Sequence, residues 1–118
     1  MAAIRALIVD DNVTSIRVIE QLLSMENVTS VKLTSTANLS ETLDKIGRVD
    51  VIFLDLEMPN LNGYEAREVI KAHPSFRHTK VVAYSVHVSE LNAVMDRAFD
   101  GFLGKPLSAE AFSGHLRD

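Results

Sequence analysis

Five side chains close short apolar runs: Asp10 and Asp11 follow "IRALIV", Asp55 ends "DVIFLD", Ser85 ends "TKVVAYS" and Lys105 ends "DGFLGK". Three carboxylates brought to one place repel, and each raises the others' proton affinity unless a cation lies between them. Oxygen-only ligands with open positions suit Mg²⁺, which takes few protein groups, keeps waters and often shares a phosphate. A lysine beside them adds positive charge for a tetrahedral anion. A carboxylate is a weak nucleophile, yet it can form an acyl phosphate when metal and lysine neutralise the transferring group, because positioning and electrostatics carry most of phosphoryl transfer. The resulting dianion would draw a hydroxyl such as Ser85 towards it by a charge-assisted hydrogen bond.

Taken singly, each residue has a plainer reading. Asp10-Asp11-Asn12 suits a helix start, with acids at the positive end of the dipole and Asn12 as the cap. Asp55 suits a turn after a strand, and Ser85 a strand-end hydroxyl bonded to its own backbone. Lys105, before Pro106, suits a solvated position where a helix begins. It is the joint pattern, acids at two strand ends with a hydroxyl at a third and a lysine at a fourth, that points to a site.

For these residues to meet, the runs that carry them must lie side by side. Residues 4 to 10, 28 to 34, 50 to 55, 79 to 85 and 100 to 105 are short, rich in Val, Ile and Phe, and bounded by polar residues, so they read as five strands. Helix-length segments alternate with them. In residues 13 to 25, Val13, Ile16, Val18, Ile19, Leu22 and Leu23 gather largely on one face. The next two segments carry helix start and stop chemistry, Asn38, Glu41 and Gly47 in one and Asn62, Glu65 and Pro74 in the other. Alternation of this kind predicts a parallel sheet with helices on both faces. "VIFL", apolar without a break, fits a strand buried on both sides. The second run ends in Thr34-Ser35-Thr36 without a charge, as an edge strand in the order 2-1-3-4-5 would, away from the crevice where strand order reverses.

Composition narrows the classes. With 118 residues and 47% of them hydrophobic, the chain is the size of one small domain and can bury a core without staples. The absence of cysteine excludes disulfides and thiolate metal sites. No apolar run approaches the roughly 20 residues of a membrane helix. A formal charge of −4 and no Lys/Arg cluster argue against a nucleic-acid surface. The four histidines, at 73, 78, 87 and 115, show no metal-ligand spacing and are expected on the surface.

Asp10-Asp11 after the first strand, Asp55 followed by "LEMPNLNG", Ser85 closing the fourth run and "GKP" at 104 to 106 resemble the receiver domain of two-component response regulators, over nearly the whole chain and in the family's order. The resemblance implies a flavodoxin-like (βα)5 three-layer sandwich, with residues 1 to 118 forming a single receiver domain. It implies that Asp55 is the phosphoacceptor, supplied by a sensor histidine kinase or a histidine phosphotransfer protein. Asp10, Asp11, the Asp55 carboxylate and the backbone carbonyl of Glu57 would hold Mg²⁺ or Mn²⁺. Lys105 would contact the phosphoryl group, and the Ser85 hydroxyl would move to bond it after transfer. Phe102 stands where the family often places an aromatic that turns inward on activation, a core or edge phenylalanine being the alternative. Glu57 and His87, two residues past the phosphoacceptor and two past the hydroxyl, match positions that tune phosphoryl lifetime. A downstream partner would bind the fourth and fifth strand-helix face of a cytoplasmic monomer or phosphorylation-dependent dimer.

Some features depart from the family's pattern. Val86 replaces a small residue after the hydroxyl and would crowd the phosphoryl pocket. The stretch between Ser85 and Lys105 is short for a fourth helix, and Gly114 weakens the last helix by up to ~1 kcal/mol relative to alanine. With no output domain following in the sequence, a stand-alone receiver is expected. Rival readings are a phosphate-independent interaction domain with the same fold and, further off, an aspartyl-phosphate hydrolase. The hydrolase wants a second acid two residues past the nucleophile, and Glu57 fits only superficially because that acid is normally aspartate. A flavin-binding protein of this fold would want a neutral, hydroxyl- or glycine-rich phosphate loop where this chain has "DDNVTS".

Overall fold

The run "VIFLD" is a strand, Val51–Asp55, and all five of its residues are buried. Burial on both faces places it in the middle of a sheet, flanked by strands on each side and covered by helices above and below. The computed structural model describes residues 4–34, 39–56, 63–85 and 100–104, of which 63, 64, 85 and 102–104 are described by backbone alone. Within them the strands are β1 (Arg5–Val9), β2 (Thr29–Leu33), β3 (Val51–Asp55), β4 (Lys80–Ser85) and β5 (Gly101–Gly104). All pair in parallel, in the order β2-β1-β3-β4-β5. The order expected from the strand-end chemistry is the order found, with β2 at an edge and only partly buried.

Among the described residues, three helices lie between the strands: α1 (Val13–Met25), α2 (Leu39–Ile46) and α3 (Gly63–Ala72). Strand order reverses at β1, since β2 lies on one side of it and β3 on the other, and right-handed crossovers then send the helices to opposite faces. Two apolar layers follow. Leu7, Val9, Ile52, Leu54, Val81 and Ala83 pack with Leu39 and Leu43 of α2, Ala66 and Ile70 of α3, and Phe76. Ala6, Ile8, Val51, Phe53, Val82 and Tyr84 pack with Ile16, Ile19 and Leu23 of α1. The alternation along each strand divides its side chains between these layers.

Helix α1 begins at the predicted residue because the Asn12 side chain accepts the Ser15 N–H at 3.0 Å. It ends where Asn27 takes a left-handed turn, φ 59°. The Val28 N–H then reaches the Leu23 carbonyl and the Asn27 N–H the Ser24 carbonyl, which satisfies the last carbonyls and returns Val28 to the core. Gly47, φ 77°, ends α2 with the same handedness, as its position in the sequence predicted.

Three sequence expectations need correction. The buried face of α1 is narrower than expected: Ile16, Ile19 and Leu23 are buried, whereas Val13 is 61% and Val18 40% exposed. Pro74 does not merely close the third helix; it starts a 3₁₀ turn, Pro74–Phe76, that drives Phe76 into the core. His73 is not a simple surface residue. Its Nδ1 accepts the Ser75 N–H and its Nε2 meets Asp44 on α2, which ties α2 to the end of α3. Residues 86–99 and 105–118, where a fourth and a fifth helix were expected, lie outside the described residues.

Candidate functional site

The carboxyl edge of the sheet gathers acid where strand order reverses. Asp10 directly follows β1, and its N–H still donates to the Leu33 carbonyl at 3.1 Å, so the residue is held as an extension of the strand. Its side chain is wholly buried, with Oδ1 accepting the Asn12 N–H at 2.8 Å. Asn12 in turn caps α1, so one three-residue turn both starts the helix and fixes the acid. Asp11, between them, is exposed. Asp55 is the last residue of β3 and is 2% exposed. Carboxylate oxygens of Asp10, Asp11 and Asp55 all lie within 4.8 Å of one another.

Burying two carboxylates beside a third is electrostatically expensive, because burial penalises each charge and like charges repel. A fold that tolerates this arrangement has a use for it. The donor set is three hard oxygen ligands, two of them rigidly held by strand ends, which is what a small divalent cation such as Mg²⁺ takes from a protein. The residues present therefore fit the ion.

One neighbour escaped the sequence reading. Tyr84 on β4 is 1% exposed, and its hydroxyl donates to Asp10 Oδ2 at 2.5 Å. It pairs in register with Asp55 and lies on the same face. Burial first, then the Asp10 hydrogen bond, then the charges of Asp10, Asp55 and Asp11 hold its phenol far above the ordinary tyrosine range. It is therefore a protonated donor and not a base. The signal in the sequence was a phenol on a strand otherwise filled by Val and Ala, since a buried tyrosine hydroxyl needs a partner.

The remaining predicted residues are brought together only in part. The Ser85 backbone ends β4 beside Asp55's strand and pairs with Gly104, and the Phe102 backbone pairs with Ala83. The side chains of Ser85 and Phe102, and the whole of Glu57, His87 and Lys105, lie outside the described residues.

The chain's likeness to known proteins agrees with this geometry. Residues 6–117 match the response regulator receiver domain. The signal transduction histidine-protein kinase BarA of Shigella flexneri is 28% identical over 110 residues, and the autoinducer 1 sensor kinase/phosphatase LuxN of Vibrio harveyi is 32% identical over 106. These alignments cover 92% and 89% of this chain but 12% of each kinase. Among solved structures, a receiver domain (CheY-like) from Methylobacillus flagellatus superposes with a TM-score of 0.86 at 25% identity, covering 98% of both chains. A receiver domain of a Pseudomonas aeruginosa sensor histidine kinase, solved with a magnesium ion coordinated in its active-site cleft, shares the fold with a TM-score of 0.84 at 22% identity, over 98% of this chain and 96% of that one. A parallel sheet in this order, acids at its switch point and a match over nearly every residue have one explanation: the chain belongs to the response regulator receiver domain family of two-component systems.

Proposed function

We propose that this receiver takes a phosphoryl group onto Asp55 and uses the acyl phosphate to change what it binds. The observation that carries the reading is the convergence of the buried Asp10 and Asp55 carboxylates with that of Asp11. Asp55, the last residue of β3, is the nucleophile on this reading: β3 is paired with β1 and β4, and Asp55 itself pairs in register with Tyr84, which fixes where its carboxylate starts. Its carboxylate oxygen attacks phosphorus of a phosphohistidine on a kinase or phosphotransfer protein. The new O–P bond forms as the P–N bond breaks, and the donor imidazole leaves with the bonding pair.

Asp10, Asp11, Asp55 and the Glu57 carbonyl would hold the Mg²⁺, or Mn²⁺, which when bound neutralises charge on the transferring group. The chain's own residues do the rest. Asp10 and Asp11 draw the cation to the strand ends, and Lys105 binds a phosphoryl oxygen. The Ser85 hydroxyl donates to the phosphoryl group after transfer, and Phe102 on β5 follows it inward. Glu57 and His87 set how quickly water reaches the acyl phosphate. On this reading residues 1–118 work as one receiver domain in the cytoplasm, as a monomer or a phosphorylation-dependent dimer, and present the fourth and fifth strand-helix face to a protein partner. Among the described residues no helix is long and apolar enough to cross a membrane.

Incubation with acetyl phosphate and Mg²⁺, followed by intact-mass measurement, tests the proposal. The expected result is one added phosphoryl group that is absent in Asp55→Asn. No adduct, with candidate kinases as well as acetyl phosphate, would instead support an interaction domain that signals without phosphate. Turnover of unrelated phosphate esters would support a hydrolase.

A further inference from the structure

We propose that Tyr84 is a positioning residue of the cation site, acting through Asp10. The inference rests on the reading of Asp10, Asp11 and Asp55 as cation ligands and adds to it a residue that is no ligand itself. Tyr84 stands on β4, Asp10 follows β1, and β3 runs between them. Two strand spacings separate β4 from β1, roughly 9–10 Å, a gap that Ser or Thr does not bridge and a phenol does. The Tyr84 hydroxyl crosses that gap and donates to Asp10 Oδ2.

Counting lone pairs shows what this does. A carboxylate offers about four acceptor sites. The Asn12 N–H occupies one on Oδ1 and the Tyr84 O–H one on Oδ2. Two donors, one on each oxygen, fix the rotation of the carboxylate and leave a defined remainder for a cation. The backbone donor comes from the turn after β1, the phenol from two strands away, so Asp10 is clamped between independent parts of the fold. The phenol ring packs in the apolar layer beside α1 with Ile8, Phe53 and Val82, and that packing keeps the hydroxyl from wandering. Partners that orient a metal ligand in this way typically change metal affinity 10–100-fold when removed.

Tyr84 also makes the site observable. The chain has two tyrosines and no tryptophan, so Tyr64→Phe leaves Tyr84 as the single strong fluorophore. In that variant, Mg²⁺ added alone is expected to change tyrosine emission, with the same midpoint as calorimetric titration. Tyr84→Phe keeps the ring and removes the hydroxyl; with its fold checked by circular dichroism, it is expected to bind Mg²⁺ about 10-fold more weakly. Asp10→Ala and Asp10→Ala/Tyr84→Phe are expected to bind Mg²⁺ equally, because the phenol has then lost the group it acts through. A purely structural role for Tyr84 would lower affinity to the same degree in both backgrounds. Unchanged or tighter binding in Tyr84→Phe, or a Tyr84 emission blind to Mg²⁺ that calorimetry detects, overturns the proposal while leaving the phosphoacceptor reading intact. Failure of the unsubstituted protein to bind Mg²⁺ at all overturns both.

Discussion

The two ends of the same sheet treat charge in opposite ways. At the amino end, acids meet donors that complete the fold. Asp50 accepts the Arg5 N–H at 2.9 Å, while the Arg5 guanidinium donates to the carbonyls of Ile46, which ends α2, and of Arg48 just beyond it. Thr79 Oγ1 donates to the Val49 carbonyl, and Lys71 Nζ to the Thr79 carbonyl. Asp100 clamps Val81, its Oδ2 accepting the Val81 N–H at 2.8 Å and its own N–H donating to the Val81 carbonyl. At the carboxyl end, three acids crowd within 4.8 Å, and the donors described on Asp10 are the neutral Asn12 N–H and Tyr84 O–H. One end uses its polar groups to hold strands in place. The other gathers like charge into a donor set that fits a divalent cation.

Substitutions at the two ends should therefore have opposite signs. The largest effect on stability is expected at the amino end. Asp100→Ala strips the acceptor from the Val81 N–H and one of two partners from Lys71, and should cost about 1–3 kcal/mol in urea denaturation. If Asp100→Ala were neutral, the amino end would not be the structural half of the pair.

The Tyr84 contrast is next in size and shows itself in alkali. The folded phenol is held above its ordinary value near 10, so above that pH the unfolded chain releases a proton that the folded chain retains. Stability from this group is complete below pH 10 and falls as pH rises past it. In Mg²⁺-free buffer the loss should reach about 1.4 kcal/mol at pH 11 and be missing from Tyr84→Phe, measured as the difference between their denaturation curves.

The smallest effect belongs to the exposed acid. Asp11→Asn should raise the thermal midpoint by about 1–2 °C in low-salt, Mg²⁺-free buffer, because it relieves repulsion. Saturating Mg²⁺ should reverse the order, stabilising the unsubstituted protein more than the variant. A lower midpoint for Asp11→Asn in both buffers would mean the carboxyl end carries no stored repulsion.

Much of the fold is legible in the sequence itself. Short Val- and Ile-rich runs separated by capped helical segments fix a parallel sheet, and the uncharged end at Thr34 correctly sent β2 to the edge. Asp10, Asp11 and Asp55 were found because each follows an apolar run that burial makes a strand. Tyr84 was missed because a tyrosine inside "VVAYS" looks like an ordinary strand former, and its partner lies 74 residues away, across an intervening strand. Val13 and Val18 were misplaced for a related reason. Periodicity tells which residues share a helix face, but only packing decides how wide a stripe the sheet covers. His73 illustrates the same limit, since its contact with Asp44 needs α2 and α3 side by side.

The central claim is that Asp55 carries the phosphoryl group, and it can be tested at the residue itself. Protein treated with acetyl phosphate and Mg²⁺ is reduced with borohydride, which converts an aspartyl phosphate into homoserine, and is then digested and sequenced by mass spectrometry. Homoserine is expected at position 55 alone, dependent on Mg²⁺. Homoserine at position 10 or 11, or at no position in a sample whose intact mass shows the adduct, would contradict it.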